Sequence, residues 1–201
     1  MRKLFLLLTL FAVGSLSAQG NGDYVSMSFI KTTPGEDYFT ILNEKWKDLA
    51  QMRANEGTIT AWDVWVNPWA TSESDWNIMI ATVAKHPDSL NANAGVPKMR
   101  PDYSEMDVEI FSQKNIKART IVHDHLLVNK GLVFPGNDGG TPVVPRVAVI
   151  NLMKVGYTDG FNYEKAENNL TSEASLGNRA GWGLLKRLDQ AGTDVYYNYM
   201  T

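Results

Sequence analysis

Hydrophobic and polar residues alternate along the first segment after position 23 and then change to a longer period. Val25, Met27 and Phe29 are separated by serines, and this period of two predicts a strand with one buried face. Apolar residues then recur at steps of three and four over residues 38–52, which predicts an amphipathic helix closed by Gly57. The folded part of the chain is therefore predicted to begin with a strand and a helix.

Two further strand patterns follow this helix and predict a hairpin. Apolar and β-branched residues dominate at 59–66 and 76–84, and the short connection between them is rich in Pro, Ser and Asp. A helical pattern then runs from about Ser104 to Asn129, where Gly131 is predicted to stop it. The order strand, helix, strand, strand, helix is the start of a split βαβ, or ferredoxin-like, unit.

A segment rich in glycine and proline separates this unit from the rest of the chain. It covers residues 134–145 and has the composition of a linker. Beyond it, the pattern predicts a strand at 147–154, a helix at 161–175 and strands at 180–188 and 195–201. The first of these strands either completes the first unit or opens a second one.

The two halves of the chain repeat each other. Three residues of the first half have counterparts 123 positions later, and the offset falls to 120 at a tryptophan: Lys31, Tyr38, Glu44 and Trp62 match Lys154, Phe161, Glu167 and Trp182. This period indicates a duplicated domain, because solenoid repeats span only about 20 to 50 residues. The second copy lacks a final helix and strand. Either the gene product is longer than this sequence, or a partner chain covers the sheet edge.

The first 19 residues have the pattern of a secretory signal peptide. Arg2 and Lys3 precede a short apolar run, and small residues follow it before Gln19. We therefore predict an exported protein, periplasmic or secreted. Its fold class is predicted as α+β, with tandem ferredoxin-like α/β-barrel units, antiparallel sheets and helices outside. The predicted segments are a signal peptide at 1–19, a first ferredoxin-like unit at 23–133, a linker at 134–145 and a second, truncated unit at 146–201.

The composition argues against several classes of function. The chain contains no cysteine, so it has no disulfide, thiolate nucleophile or thiolate metal ligand. Its net charge is −3, and removing Arg2 and Lys3 with the signal peptide takes it to −5, which disfavours nucleic acid and anionic membranes as partners. Neither a Gly-x-Ser-x-Gly elbow nor a phosphate-binding loop is evident. We predict no cofactor and no membrane span in the mature chain.

Several short motifs, taken with the element order, resemble the dimeric α/β-barrel group of ferredoxin-like domains. More narrowly, they resemble exported bacterial proteins of uncharacterised function that contain tandem copies of that domain. The motifs are Phe29-Ile30-Lys31 with Pro34-Gly35, Glu44 with Trp46-Lys47, Ala61-Trp62, Leu152-Met153-Lys154, Glu167, Gly181-Trp182-Gly183 and Tyr197-Asn198-Tyr199-Met200-Thr201. The resemblance implies two sheets that face each other and close a barrel. The group includes cofactor-free monooxygenases, haem-degrading enzymes, peroxidases and binding proteins, so the fold alone selects no function.

The sequence His123-Asp124-His125 is the obvious place to look for a metal site. On a strand the two histidines would share a face, but the surrounding pattern is helical, and on a helix they diverge by about 200°. His86 is the only other histidine, and it lies in a distant loop. We therefore expect a partly exposed helical pair and no metal or haem site.

Six residues are the best candidates for contact with a ligand, because they occupy matched positions in the two halves. They are Trp62, Asn77, Trp182, Asn198, Glu44 and Glu167. The two glutamates could pair as acid and base across a pseudo-two-fold site, or each could form a local cap or salt bridge. Alternation sends Trp62 and Trp65 to opposite faces of their strand. The aromatic rings either line a cavity for a flat apolar ligand or only fill the space between layers.

Three functional hypotheses follow. In the first, the protein binds a small apolar ligand or a partner subunit in the barrel, and it could form a homodimer. In the second, it is a cofactor-independent monooxygenase-like enzyme that acts on an activated aromatic compound, with Asn77, Trp62 or Glu44 near the substrate. In the third, it has a structural or assembly role. No residue can be assigned as catalytic from the sequence, and oxygen consumption would separate the second hypothesis from the others.

Overall fold

The computed structural model describes residues 22–91, 102–133, 147–173, 181–189 and 196–201. The predicted signal peptide and the predicted linker lie outside these described residues.

The first half of the chain forms an antiparallel sheet with helices on one face. Its strands pair in the order β2-β3-β1-β4, which is the strand order of a ferredoxin-like unit. The strands are β1 (Tyr24–Thr32), β2 (Ala61–Val66), β3 (Ile78–Ala84) and β4 (Arg119–Val133). The helices are α1 (Tyr38–Ile41), a π-helical turn (Leu42–Trp46), α2 (Lys47–Asn55), a 3₁₀ helix (Pro87–Leu90) and α3 (Glu105–Ala118). The prediction of an α+β fold is confirmed.

The helical segment after β1 begins and ends at residues suited to those positions. The Asp37 carboxylate accepts a hydrogen bond from the Thr40 backbone N–H at 3.0 Å, which satisfies one of the unpaired donors at the start of α1. Gly57 has φ +72°, a left-handed conformation that suits glycine after a helix. Tyr38, Leu42 and Leu49 are buried and direct this segment against the sheet and α3.

The predicted helix over residues 104–129 is wrong in its second half. The helix begins at a capping box between Ser104 and Asp107, as its sequence indicates, but it ends at Ala118. The chain then continues as β4, which pairs with β1 from Arg119 to Val128. Long-range strand pairing therefore overrides the local helical pattern, and Gly131 lies inside the strand at a register shift rather than after a helix.

The second half of the chain extends the same sheet. Its elements are β5 (Leu152–Met153), α4 (Gly160–Glu173), β6 (Trp182–Arg187) and β7 (Tyr199–Met200). Among the described residues the strands form one seven-stranded sheet in the order β2-β3-β1-β4-β6-β7-β5. Thus β4 joins the halves, since it pairs with β1 on one side and β6 on the other. The strands predicted at 147–154 and 195–201 are each shortened to two residues.

The sheet has two different buried faces. On the face that carries α1 and α2, here called the helix face, Trp62 packs with Ile30, Tyr38 and Leu42. On the opposite face, Trp65 packs against an apolar cluster that contains residues from both halves of the chain. The buried members of this cluster are Val25, Met27, Phe29, Ala61, Met79, Ala81, Val83, Leu127, Tyr197 and Met200. The prediction that Trp62 and Trp65 face opposite sides of the strand is confirmed.

Candidate functional site

A cavity of about 450 Å³ lies between α2 and the helix face of the sheet. This size is within the range of pockets that enclose a small organic molecule. Its walls are mainly aromatic and aliphatic side chains, including Trp62, Tyr38, Trp46, Leu49, Leu90, Ile30 and Ile80. Polar and charged side chains make up the rest of its lining: Ser26, Ser28, Thr82, Asp124, His125, Asp189, Asn91, Arg53 and Arg119.

Small polar side chains on the sheet leave the space that the cavity occupies. Ser26 and Ser28 lie on the helix face of β1, because Val25, Met27 and Phe29 take the opposite face. The Ser28 hydroxyl donates to the Asp124 carboxylate at 2.8 Å, and the Ser26 hydroxyl lies 3.4 Å from the same oxygen. These short side chains cannot fill the gap beneath α2, and Asp124 is held in place by the two hydroxyls.

Two arginines line the cavity in different ways. The Arg53 side chain is only 4% exposed, and its Nη2 donates to the carbonyl of Ser89. Its Nε is buried and has no hydrogen-bond partner among the described residues. Burial lowers the pKa of Arg53 from its ordinary value. Arg119 instead donates from Nε to the Asn115 side chain at 3.3 Å and lies over the Tyr38 ring.

Of the six candidate residues predicted from the sequence, only Trp62 lines this cavity. Asn77 lies at the start of β3, where its amide holds the end of β1. Its Oδ1 accepts from the Thr32 backbone N–H at 3.0 Å, and its Nδ2 donates to the Thr32 hydroxyl at 2.7 Å. The Asn77 backbone N–H also donates to the Ile30 carbonyl. The amide is thus engaged within the fold.

Asn198 makes matching hydrogen bonds in the second half. Its Oδ1 accepts from the Val155 backbone N–H at 2.8 Å, and its Nδ2 donates to the Val155 carbonyl at 2.8 Å. Its backbone N–H donates to the Met153 carbonyl at 2.9 Å, as that of Asn77 does to Ile30. Val155 and Met153 lie 123 positions after Thr32 and Ile30, which is the offset of the sequence repeat.

The two candidate glutamates lie on separate helical segments. Glu44 is exposed on the π-helical turn, and Glu167 is partly buried on α4. Within the described part of the chain, no hydrogen bond links their carboxylates. Glu167 lies near Tyr163, where burial and the nearby carboxylate raise the pKa of Tyr163 to about 12. Trp182 is half-buried on β6, and its Nε1 has no partner among the described residues.

A neighbouring glutamate, which the sequence did not single out, has the stronger contacts. The Glu164 carboxylate accepts hydrogen bonds from Tyr199 at 2.7 Å and Lys186 at 3.0 Å. Burial alone would raise the pKa of Glu164, but these hydrogen bonds outweigh it and the pKa is lowered. Glu164 therefore ties α4 to β6 and β7 as a structural ion pair.

The two histidines are not a helical pair, because they lie on β4. His123 and His125 share one face of the strand, and their rings stack with centroids 5.7 Å apart. This placement corrects the helical interpretation. The spacing of two was the signal for a strand, and the helical pattern around it obscured that signal. No group of three or more metal-ligating side chains occurs within the described ranges.

His125 has an environment that could support proton transfer. Its side chain is 5% exposed, its Nδ1 is 3.3 Å from the Asp189 carboxylate, and its Nε2 has no partner among the described residues. The Tyr197 ring packs edge-on against it, 5.4 Å away between centroids. Asp189 also accepts from Arg187 at 2.9 Å. His125 and Asp189 are among the residues that line the cavity, but the His125 ring packs on the opposite face of the sheet, against Phe29 and Tyr197.

These features define the class of protein: an α+β protein of ferredoxin-like type with a ligand-sized cavity beneath its helices. One structurally similar chain is a dimeric protein of unknown function and ferredoxin-like fold from Bacteroides fragilis. The two share 12% sequence identity with a TM-score of 0.35, and the match covers 53% of this chain and 93% of the other. No protein-family model and no curated protein matches the chain. In the described part of the structure, no helix has the length and apolarity needed to cross a bilayer.

Proposed function

We propose that this protein binds a small molecule with an apolar body in the cavity between α2 and the helix face. The observation that carries this proposal is the cavity itself, about 450 Å³ with walls of Trp62, Tyr38 and Leu49. The opposite face of the sheet is filled by an apolar cluster, so the space for a ligand lies under the helices rather than between two sheets. The apolar walls would hold the body of the ligand, and the polar and charged groups between them would orient it.

Filling the cavity should abolish binding. A neutral fluorescent probe, N-phenyl-1-naphthylamine, is titrated into the wild type and into Ser26→Leu, whose added side chain projects beneath α2. We expect the probe to bind the wild type and to bind Ser26→Leu at least about tenfold more weakly, a loss of about 1.4 kcal/mol. Quenching or a wavelength shift of tryptophan emission gives an independent reading, since Trp62 lines the cavity.

The matched control is Ser72→Leu, which makes the same substitution at an exposed position between β2 and β3. It should bind the probe as the wild type does. Equal binding by Ser26→Leu and the wild type, or the absence of any binding, would refute the proposed function. Far-ultraviolet circular dichroism establishes that both variants are folded before the titrations are compared.

We also propose that the two halves are tandem copies of one ferredoxin-like unit, the second of them incomplete, and that they form a barrel. The matching hydrogen bonds of Asn77 and Asn198 support the duplication. Leu152 and Met200 pair as Phe29 and Met79 do, and they lie 123 and 121 positions after those residues. Packing of Tyr197 and Met200 against the first half supports a curved sheet.

Export from the cytoplasm is part of this proposal and is supported by the pattern of residues 1–19. A homodimer stays a prediction. Among the described strands, β5 lies at one edge of the sheet, and an additional strand from a second chain could pair there.

An acid–base enzyme is the second candidate function, and His125 is the observation that favours it. A histidine with one nitrogen oriented by a carboxylate and the other unpaired is the arrangement of a general base. In this function the substrate would reach the buried Nε2 of His125 from the face of the sheet opposite α2, and Asp189 would stabilise the imidazolium. Oxygen consumption by the wild type but not by His125→Gln, with such substrates, would favour a monooxygenase-like reaction over binding alone.

The stability of the protein should fall as His125 becomes protonated. Burial lowers the pKa of His125, and this effect outweighs the opposing hydrogen bond that His125 donates to the Asp189 carboxylate. Arg187 and His123 lower the pKa further, and Tyr197 packs on the ring. In the unfolded state the imidazole of His125 has its ordinary pKa of about 6.5, so it takes up a proton more readily there than in the folded state. Stability due to neutral His125 is present above about pH 6.5 and is lost as the pH falls towards its folded pKa.

Urea unfolding between pH 7.5 and 5 measures this dependence. The free energy of unfolding should decrease with falling pH in the wild type and in His86→Gln, an exposed control, and should decrease less in His125→Gln. If His125→Gln and the wild type have the same pH dependence, His125 is not held neutral by its surroundings.

A further inference from the structure

We propose that the ligand of the cavity carries a carboxylate, and that Arg53 binds it. This inference rests on the proposed function and adds the chemical class of the ligand. It is drawn from the burial of Arg53, from the lack of an anionic partner for it, and from its place in the lining of the cavity.

A buried guanidinium without an anion is costly. Removing a charged group from water is costly unless other polar groups replace its contacts with water. Arginine is almost never fully buried unless it is paired. Arg53 is 4% exposed, yet the described residues give it one hydrogen bond, to the Ser89 carbonyl, and no ion pair. Its Nε is buried without a partner. A carboxylate in the cavity would neutralise the charge of Arg53, whose side chain borders that cavity.

The carboxylates that already line the cavity have other partners. Asp124 accepts the hydroxyls of Ser26 and Ser28, and Asp189 accepts Arg187 and lies beside His125. Neither is joined to Arg53 by an ion pair or hydrogen bond among the described residues. The positive charge of Arg53 is therefore not neutralised by the acids of its own cavity.

Arginine is well suited to bind a carboxylate. Its planar guanidinium offers parallel N–H groups that match the two carboxylate oxygens. The position of Arg53 in the last turn of α2 already compensates the helix dipole, but that role requires neither its burial nor its contact with a cavity. The apolar walls at the same cavity then accept the remainder of the molecule. A monocarboxylate with an aliphatic or aromatic body fits both parts.

The test compares two ligands that differ only in the head group. Decanoate and 1-decanol are used at pH 7.5 to displace N-phenyl-1-naphthylamine, because the carboxyl group is ionised at this pH. We expect the wild type to bind decanoate at least tenfold more tightly than decanol. Arg53→Gln should lose this preference while its affinity for decanol stays within threefold of the wild type.

Two further variants separate charge from structure. Lys114→Gln removes one positive charge from an exposed position on α3 and should keep the preference for decanoate. Arg53→Lys keeps the positive charge and should retain part of the preference for decanoate. A purely structural role for the arginine would not predict this result. Unchanged affinity of Arg53→Gln for decanol also shows that its cavity is intact.

The outcomes distinguish this inference from the proposed function. If decanol and decanoate bind the wild type equally, or if Arg53→Gln keeps the preference, the cavity binds ligands but the carboxylate inference is overturned. If the probe does not bind, or if Ser26→Leu does not weaken its binding, the proposed function itself is refuted. If the probe binds and neither compound displaces it, the carboxylate inference is again overturned.

Discussion

Leu127→Ala is expected to lower the free energy of unfolding by about 4 kcal/mol, near the upper part of the range for a buried leucine. Leu127 is fully buried on β4, where it pairs with Val25 of the first half and Arg187 of the second. Removal of its side chain leaves a cavity in the apolar cluster to which both halves contribute. Because β4 is shared, the loss should weaken the whole sheet rather than one half of it.

Urea unfolding followed by circular dichroism and by tryptophan fluorescence measures this effect. We expect the two signals to change together, as in a cooperative transition, in the wild type and in Leu127→Ala. Leu188→Ala provides the control, since that leucine lies just beyond β6 and is 43% exposed; it should cost less than about 1 kcal/mol. A cost for Leu127→Ala as small as that of the control would contradict the shared core.

The second large effect is expected at the matched asparagines. Asn77→Ala and Asn198→Ala should each lower the free energy of unfolding by about 2 kcal/mol, because each leaves a partly buried backbone N–H, of Thr32 or Val155, without its acceptor. Asn55→Ala, which removes a side chain from the exposed end of α2, is the control and should change stability by less than about 0.5 kcal/mol.

Aspartate at the same two positions sharpens the test. Asn77→Asp keeps the acceptor for Thr32 N–H, and the Thr32 hydroxyl can turn to donate to the new oxygen. Asn198→Asp instead brings a carboxylate against the Val155 carbonyl, which has no proton to offer. We therefore expect Asn198→Asp to be the more destabilising.

If both alanine variants keep full stability but bind the probe more weakly, the asparagines are ligand contacts, as their repetition in the sequence first indicated.

The strand hairpin and the amphipathic helix of the first half could be predicted from the sequence because local pattern and tertiary contacts agree there. Trp62 and Trp65 illustrate this, since their spacing alone assigns them to opposite faces, and the packing confirms it. At β4 the local sequence pattern and the tertiary contacts disagree. The pattern after Ala118 is compatible with a helix, whereas an extended chain can pair with β1 on one side and β6 on the other.

The candidate site could be predicted only in part, because a pattern does not reveal which face of a strand is covered. Ser26 and Ser28 were expected on the polar side of β1, where solvent is the usual neighbour, but α2 covers that side and the serines border a cavity. Arg53 resembles an ordinary basic residue in the last turn of a helix. Its burial depends on the 3₁₀ helix that follows β3, which is distant in sequence.

The sequence by itself determined the mixed α+β class, the hairpins, the helices that follow β1 and β5, and the repeated positions, since each depends on local periodicity or direct comparison of residues. Only the tertiary structure decided that β4 is a strand shared by both halves, that His123 and His125 lie on one face, and that Arg53 borders a cavity. The physical reason is that these features depend on contacts between distant segments, such as Arg53 with Ser89, 36 residues apart, and Ser26 with Asp124, 98 residues apart, whose energies exceed local preferences. The spacing of His123 and His125 was a local sign of the strand, but the helical pattern around it obscured that sign.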